Sequence, residues 1–178
     1  VNNSSDGDTV IALPGTYIES FSIDKNIYFR GLDDPDSTIL QSIGSNYHNI
    51  KIVADSVKIS NFTFDNELDI ENVQTIIIDS VKHNSNHSSY NFLLDNVQNF
   101  TLSNSEFILP SYRESAFIDG NGGTRFRFDN LDVRMNGGPS GNRRFIDLVG
   151  SYATFDNCKF HEVGSIINPG DTLLIHNS

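Results

Sequence analysis

The chain has 178 residues, a formal net charge of -11 from 12 basic and 23 acidic residues, 37% hydrophobic residues, no Trp and one Cys. That length suits one domain with a sizeable core, and the deficit of Lys and Arg argues against a nucleic-acid partner. Its longest apolar runs, such as Thr75–Ile78 and Phe92–Leu94, fall far short of the roughly 20 residues of a membrane span, and the single Cys158 excludes an intrachain disulfide.

Along the chain, residues 1–6 (Val-Asn-Asn-Ser-Ser-Asp) carry no amphipathic pattern. Beyond them, apolar residues alternate with period two over short stretches, and Asn, Asp, Ser or Gly interrupts every few residues. The 21 Asn and 21 Ser would suit a disordered chain, but Phe, Ile and Val recur throughout, so the composition predicts turn-rich β structure with almost no helix.

Five segments share one pattern: Val57–Phe64, Phe100–Phe107, Phe126–Val133, Ala153–Phe160 and Leu173–Ser178. In each, apolar residues stand four and two places before an Asn; the place after it holds Phe62, Leu131 or Cys158 in three segments and Ser in the other two, and where the segment runs on an apolar residue stands three places after it. The alternation therefore slips by one residue at the Asn. Side chains on a strand alternate faces, so both halves can point inward only if the backbone bends there. Asn tolerates the left-handed conformation such a bend needs. Two further segments place Gly31 and Ser80 at the bend, giving the series Gly31, Asn61, Ser80, Asn104, Asn130, Asn157 and Asn177. Another apolar stretch follows each bend: Ile50–Val53, Phe92–Leu94, Ala116–Ile118, Phe145–Leu148 and Ser165–Ile167.

Repeats of about 24 residues with three short strands each predict an all-β parallel solenoid of about seven coils, with the bend residues stacked as a ladder of side-chain amides. A sandwich of antiparallel strands is the alternative fold. The opening Gly7-Asp8-Thr9-Val10-Ile11-Ala12-Leu13-Pro14-Gly15-Thr16-Tyr17, with Phe21–Gly31 after it, resembles the first coils of the pectin-lyase-like right-handed parallel β-helix superfamily. The resemblance covers nearly the whole chain and implies a single-stranded right-handed β-helix, as in secreted or surface members associated with polysaccharide use. That superfamily also includes lyases, hydrolases, phage tail spikes and adhesins, so the fold does not fix an activity. Members usually begin with a capping helix, whereas residues 1–6 contain none and the chain stops within a repeat. Residues 1–178 are accordingly expected to be one β-helix domain, a segment of a longer chain lacking both caps, which would stack on further coils of its own or a neighbouring chain.

Lyases of the superfamily need a basic residue to abstract a proton and acidic residues, often with Ca²⁺, to neutralise a uronate carboxylate. Aligning the third strands puts Asp95, Asp119 and Asp147 in a column, with Arg143, Arg144 and Arg113 near in sequence. These are the candidate ligand-binding residues, and Asp119 with Asp147 is the candidate Ca²⁺ pair; turn hydrogen bonding is the plainer role for the same carboxylates. A second column, Ser60, Asp79, Ser103, Asp129 and Asp156, is expected to face solvent. A third, Thr63, Lys82, Glu106, Asp132 and Lys159, is expected to form cross-coil ion pairs. His83 and His87 fall in a polar stretch and are expected to be exposed, with His48, His161 and His176 isolated. No zinc signature, nucleophile elbow or phosphate loop is present. Tyr47, Tyr90, Tyr112 and Tyr152 lie in turn-like stretches, where aromatic rings can stack on sugars.

The leading reading is a secreted or cell-surface, non-catalytic β-helix that serves as a rigid scaffold, adhesin or carbohydrate-binding segment, with a polysaccharide or surface glycan as its partner. The alternatives are a Ca²⁺-dependent polysaccharide lyase or hydrolase acting on acidic glycans, and a structural spike or coat component.

Overall fold

In the computed structural model, residues 1–41, 48–65, 67–84, 92–109, 118–121, 125–135, 145–149, 151–161 and 172–176 are described. They form β1 (Thr9–Ala12), β2 (Gly15–Ile18), β3 (Phe21–Ile23), β4 (Tyr28–Gly31), β5 (Thr38–Gln41), β6 (His48–Ile52), β7 (Ser56–Asp65), β8 (Glu67–Glu71), β9 (Thr75–Asn84), β10 (Phe92–Asp95), β11 (Asn99–Leu109), β12 (Ile118–Asn121), β13 (Arg125–Met135), β14 (Ile146–Val149), β15 (Tyr152–Asp156), β16 (Lys159–His161) and β17 (Thr172–His176). One 3₁₀ turn, Pro35–Ser37, is the helical element among them; Asp34 caps it by accepting a hydrogen bond from the Asp36 amide.

The strands make two sheets, and their pairings are parallel. The larger follows the order β1-β4-β7-β9-β11-β13-β15-β17, with β5 between β2 and β7 and with β16 beside β13; the smaller follows β14-β12-β10-β8-β6-β3. Parallel pairing throughout excludes the antiparallel sandwich and is consistent with a parallel solenoid. Across the larger sheet Arg30 stands opposite Ser60, Ser60 opposite Asp79, Asp79 opposite Ser103, Ser103 opposite Asp129, Asp129 opposite Asp156, and Asp156 opposite His176. Each of these residues immediately precedes a bend position read from the sequence. The path holds one strand more than the repeat pattern identifies, because Ala12 of β1 lies opposite Gly31 and carries none of the Asn, Gly or Ser that marks the other bends.

The one-residue slip is visible in burial. In β11, Phe100 and Leu102 point inward ahead of Asn104, and Ser105, Phe107 and Leu109 point inward after it. Asn61, Ser80, Asn104, Asn130 and Asn157 take φ between 50° and 62°, so a left-handed residue turns the strand and keeps both halves facing the core. Gly31 differs: its φ is not in that region. A Cβ there would collide with the Asn61 carbonyl oxygen, so close backbone approach, rather than handedness, requires glycine at this position.

Both sheets line one core. Phe29 packs on Phe62 with ring centroids 4.6 Å apart, Phe100 lies 5.9 Å from Phe126, and Phe128 stacks on Phe155 at 4.7 Å and 14°. Leu68, Ile70, Phe92, Leu94, Ile118, Ile146 and Leu148 close the core from the smaller sheet. Equivalent residues of successive strands thus stack at the strand spacing of about 4.8 Å, and burial of these rings and branched chains is the main stabilising term.

Candidate functional site

The outward face of the smaller sheet carries the sequence-predicted carboxylates, in a register that departs from the expected one. Asp119 pairs with Asp147, but the residue opposite Asp119 on the preceding strand is Leu93; Asp95 lies opposite Asn121 and Glu71. The column therefore reads Ser22, Lys51, Asp69, Leu93, Asp119, Asp147. The sequence alignment matched "apolar-Asp" dipeptides, whereas the buried pairs Phe92–Ile118 and Leu94–Gly120 fix the register two residues away. Asp95 ends its strand, exposed, ahead of a turn.

Asp119 and Asp147 are half-buried between the inward-facing Ile118, Gly120, Ile146 and Leu148. Burial raises the Asp119 carboxyl above its ordinary range, and the neighbouring Asp147 charge adds to the effect. Calcium takes six to eight oxygens. Among the described residues no group of three or more His, Cys, Asp or Glu converges, and Leu93 separates the pair from Asp69, so two carboxylates on adjacent strands do not by themselves fit that ion. Arg113, Arg143, Arg144 and Asn177 lie outside the described residues, as do His87, Tyr47, Tyr90 and Tyr112.

At the bends, Asn130 Nδ2 donates to Asn104 Oδ1 at 2.9 Å, and Asn104 Nδ2 donates to Asp79 Oδ1 at 2.8 Å. The Asn104 amide therefore reaches the carboxylate one place before Ser80, which also accepts from Ser103 Oγ at 2.7 Å. A further pair was not anticipated: Asn72 and Asn96 also take positive φ, 56° and 53°, and Asn96 Nδ2 donates to Asn72 Oδ1 at 3.0 Å. They end the strands of the smaller sheet. The signal was available in the near-identical runs Glu71-Asn72-Val73-Gln74 and Asp95-Asn96-Val97-Gln98, in which the Val is buried.

Three other expectations are corrected. His83 is 2% exposed inside β9, its ring centroid 6.4 Å from that of Phe107, because strand pairing with Phe64 and Phe107 continues through the polar stretch. Ser60 is buried with its hydroxyl 2.8 Å from the Tyr28 hydroxyl, instead of facing solvent. Thr63, Lys82, Glu106, Asp132 and Lys159 do align, yet Lys82 reaches Asp36 of the 3₁₀ turn, and Asp132 pairs with Arg134 at 2.8 Å and His161 at 3.3 Å. Partners outside the column are closer to the charged ends of these long side chains. Arg134 holds the Asp132 carboxyl below its usual range, and burial pushes the Cys158 thiol up.

The outward face of the larger sheet holds a feature that the repeat pattern left unmarked. A depression of about 620 Å³ is lined by Asn99, Thr101, Arg125, Arg127, Tyr152 and Thr154 over the buried Phe100 and Phe126. Asn99, Arg125 and Tyr152 are direct neighbours on three successive strands, as are Thr101, Arg127 and Thr154. Tyr152, considered in the sequence only as one of several turn tyrosines, is 39% exposed here.

No known family model matches the chain, and no curated protein matches it. Among solved structures it is similar to the alginate lyase from Paenibacillus sp. str. FPU-7, with 12% identity over 99% of this chain and 93% of that one and a TM-score of 0.38. No helix among the described residues is long and apolar enough to cross a membrane.

Proposed function

We propose that the chain closes into a right-handed parallel β-helix of about seven coils and acts as a secreted or cell-surface scaffold that binds glycan along its lateral face without cleaving it. The observation that carries this reading is the continuous in-register path of parallel strands in the larger sheet. Such a stack is stiff along its axis and presents aligned columns of side chains, which suits a long polymeric ligand better than a small one. On the outward faces several charges are already matched, Lys51 with Glu71 at 2.8 Å and Arg134 with Asp132, a pattern of surface upkeep rather than of poised chemistry.

The Asp119–Asp147 pair supports a second reading, a lyase or hydrolase of acidic polysaccharides. Burial raises the Asp119 carboxyl, and a carboxyl so raised beside a second one is an arrangement that general acid–base catalysis uses. Incubation with a panel of soluble polysaccharides, following both retention of the protein and release of new chain ends, separates the two. Retention with no new ends is expected. New ends abolished by Asp119→Asn would replace the scaffold with the enzyme, and no retention on any glycan would leave a bare structural rod.

A further inference from the structure

We propose that the depression over β11, β13 and β15 is a binding site for an acidic glycan, in which Arg125 takes a carboxylate or sulfate and Tyr152 takes a sugar ring. The inference rests on the glycan-binding reading above and gives it a place and a ligand chemistry.

Charge is the first argument. The chain carries nearly twice as many acidic as basic residues, so its cations have abundant partners: Arg127 lies 3.4 Å from Asp129 and 4.0 Å from Asp156, and Arg134 is paired with Asp132. Arg125 is exposed and has no carboxylate within 4.0 Å among the described residues. Its planar fork of donors suits a carboxylate or sulfate better than a lysine would. Arg127 offsets Asp129 and Asp156, the acidic groups nearest along the same strands, so they do not present a bare negative edge to an incoming anion.

Shape and composition are the second. Tyr152 stands directly opposite Arg125 on the adjacent strand, about 4.8 Å away, with an exposed ring that offers an apolar face and a polar edge. Asn99, Thr101 and Thr154 add an amide and two hydroxyls around the same depression, the groups that exchange hydrogen bonds with sugar hydroxyls. A free anion would need only the arginine. An aromatic face, hydroxyls and a cation spread over three strands fit an oligosaccharide lying along the rod. The site is on the opposite sheet from Asp119 and Asp147, so occupancy of one leaves the other open.

The test is calorimetric titration of the intact chain with oligogalacturonate, dextran sulfate and neutral dextran, repeated on Arg125→Ala, Tyr152→Ala and the charge control Lys159→Ala. Binding of one or both anionic probes is expected, with neutral dextran inert. Arg125→Ala should weaken it at least tenfold, Tyr152→Ala several-fold, and Lys159→Ala within twofold. Which anionic probe binds tells carboxylate from sulfate. Anionic binding unchanged by Arg125→Ala would overturn this site while leaving glycan binding intact; absence of binding by all three probes would overturn both. Equal losses in all three variants would reduce the interaction to general charge attraction and also reject the site. Circular dichroism spectra matching the parent establish that each variant is folded, as expected for changes at exposed positions.

Discussion

Asn130 sits at φ 52° with its amide bonded to Asn104, and the two contributions separate by substitution. Asn130→Ala places a Cβ-bearing residue without a local hydrogen-bonding group in the left-handed region, at about 1.5–2 kcal/mol, and forfeits an exposed hydrogen bond of about 0.5 kcal/mol. Asn130→Gly forfeits the same bond and relieves the backbone, but adds unfolded-state freedom worth about 0.5–1 kcal/mol. The glycine variant should therefore be the more stable of the two by roughly 1 kcal/mol, which for a chain of this size corresponds to about 2–4 °C in Tm. At an ordinary strand position the order is reversed, since glycine there is worse than alanine. Urea unfolding followed by circular dichroism, at equal slopes for the two variants, reads the difference. Alanine equal to or above glycine would refute the account of the bend.

Gly31→Ala should cost on the order of 3 kcal/mol, because the new methyl meets the rigid Asn61 carbonyl, whereas Gly120→Ala meets the end of the Leu148 side chain and should cost about 1 kcal/mol; comparable urea midpoints would contradict the distinction. Phe128→Ala removes a fully buried ring stacked on Phe155 and should cost about 3–5 kcal/mol, measured the same way. Asp119 has its folded-state pKa raised, so the folded form binds its proton more tightly and stability is lost as pH rises through the ordinary carboxylate range. Asp119→Asn should accordingly be more stable than the parent at neutral pH and lose that advantage at pH about 3; an advantage that persists in acid would point to a cause other than ionisation.

The bends were legible in the sequence because two constraints coincide there, an inward-facing alternation that slips by one and a residue that tolerates left-handed backbone. Where only one operates, the reading was partial. Ala12 stacks on Gly31 with no residue preference to mark it, and Gly31 is glycine for a contact from Asn61, which lies on the next strand of the larger sheet and far along the chain. The register of the smaller sheet was misread because its strands are three to five residues long and two-residue shifts preserve the inward alternation; only which apolar residues are large enough to meet across the core decides. His83 was misassigned because a polar stretch in sequence carries no mark of the strand that pairs through it. The Arg125–Tyr152 depression joins residues on different strands, and no local pattern encodes such a pairing.

The register of β7, β9 and β11 also makes the chain editable by whole units. Ser56 stands opposite Thr75, and Thr75 opposite Asn99. Excising residues 75–98 would bring Asn99 beside Ser56, set Phe100 against Val57 and Leu102 against Ile59, and put Asn104 where Ser80 now faces Asn61. The shortened molecule keeps every inward column in phase, so length in this architecture is a quantity that gene duplication and loss can adjust in steps of one strand spacing.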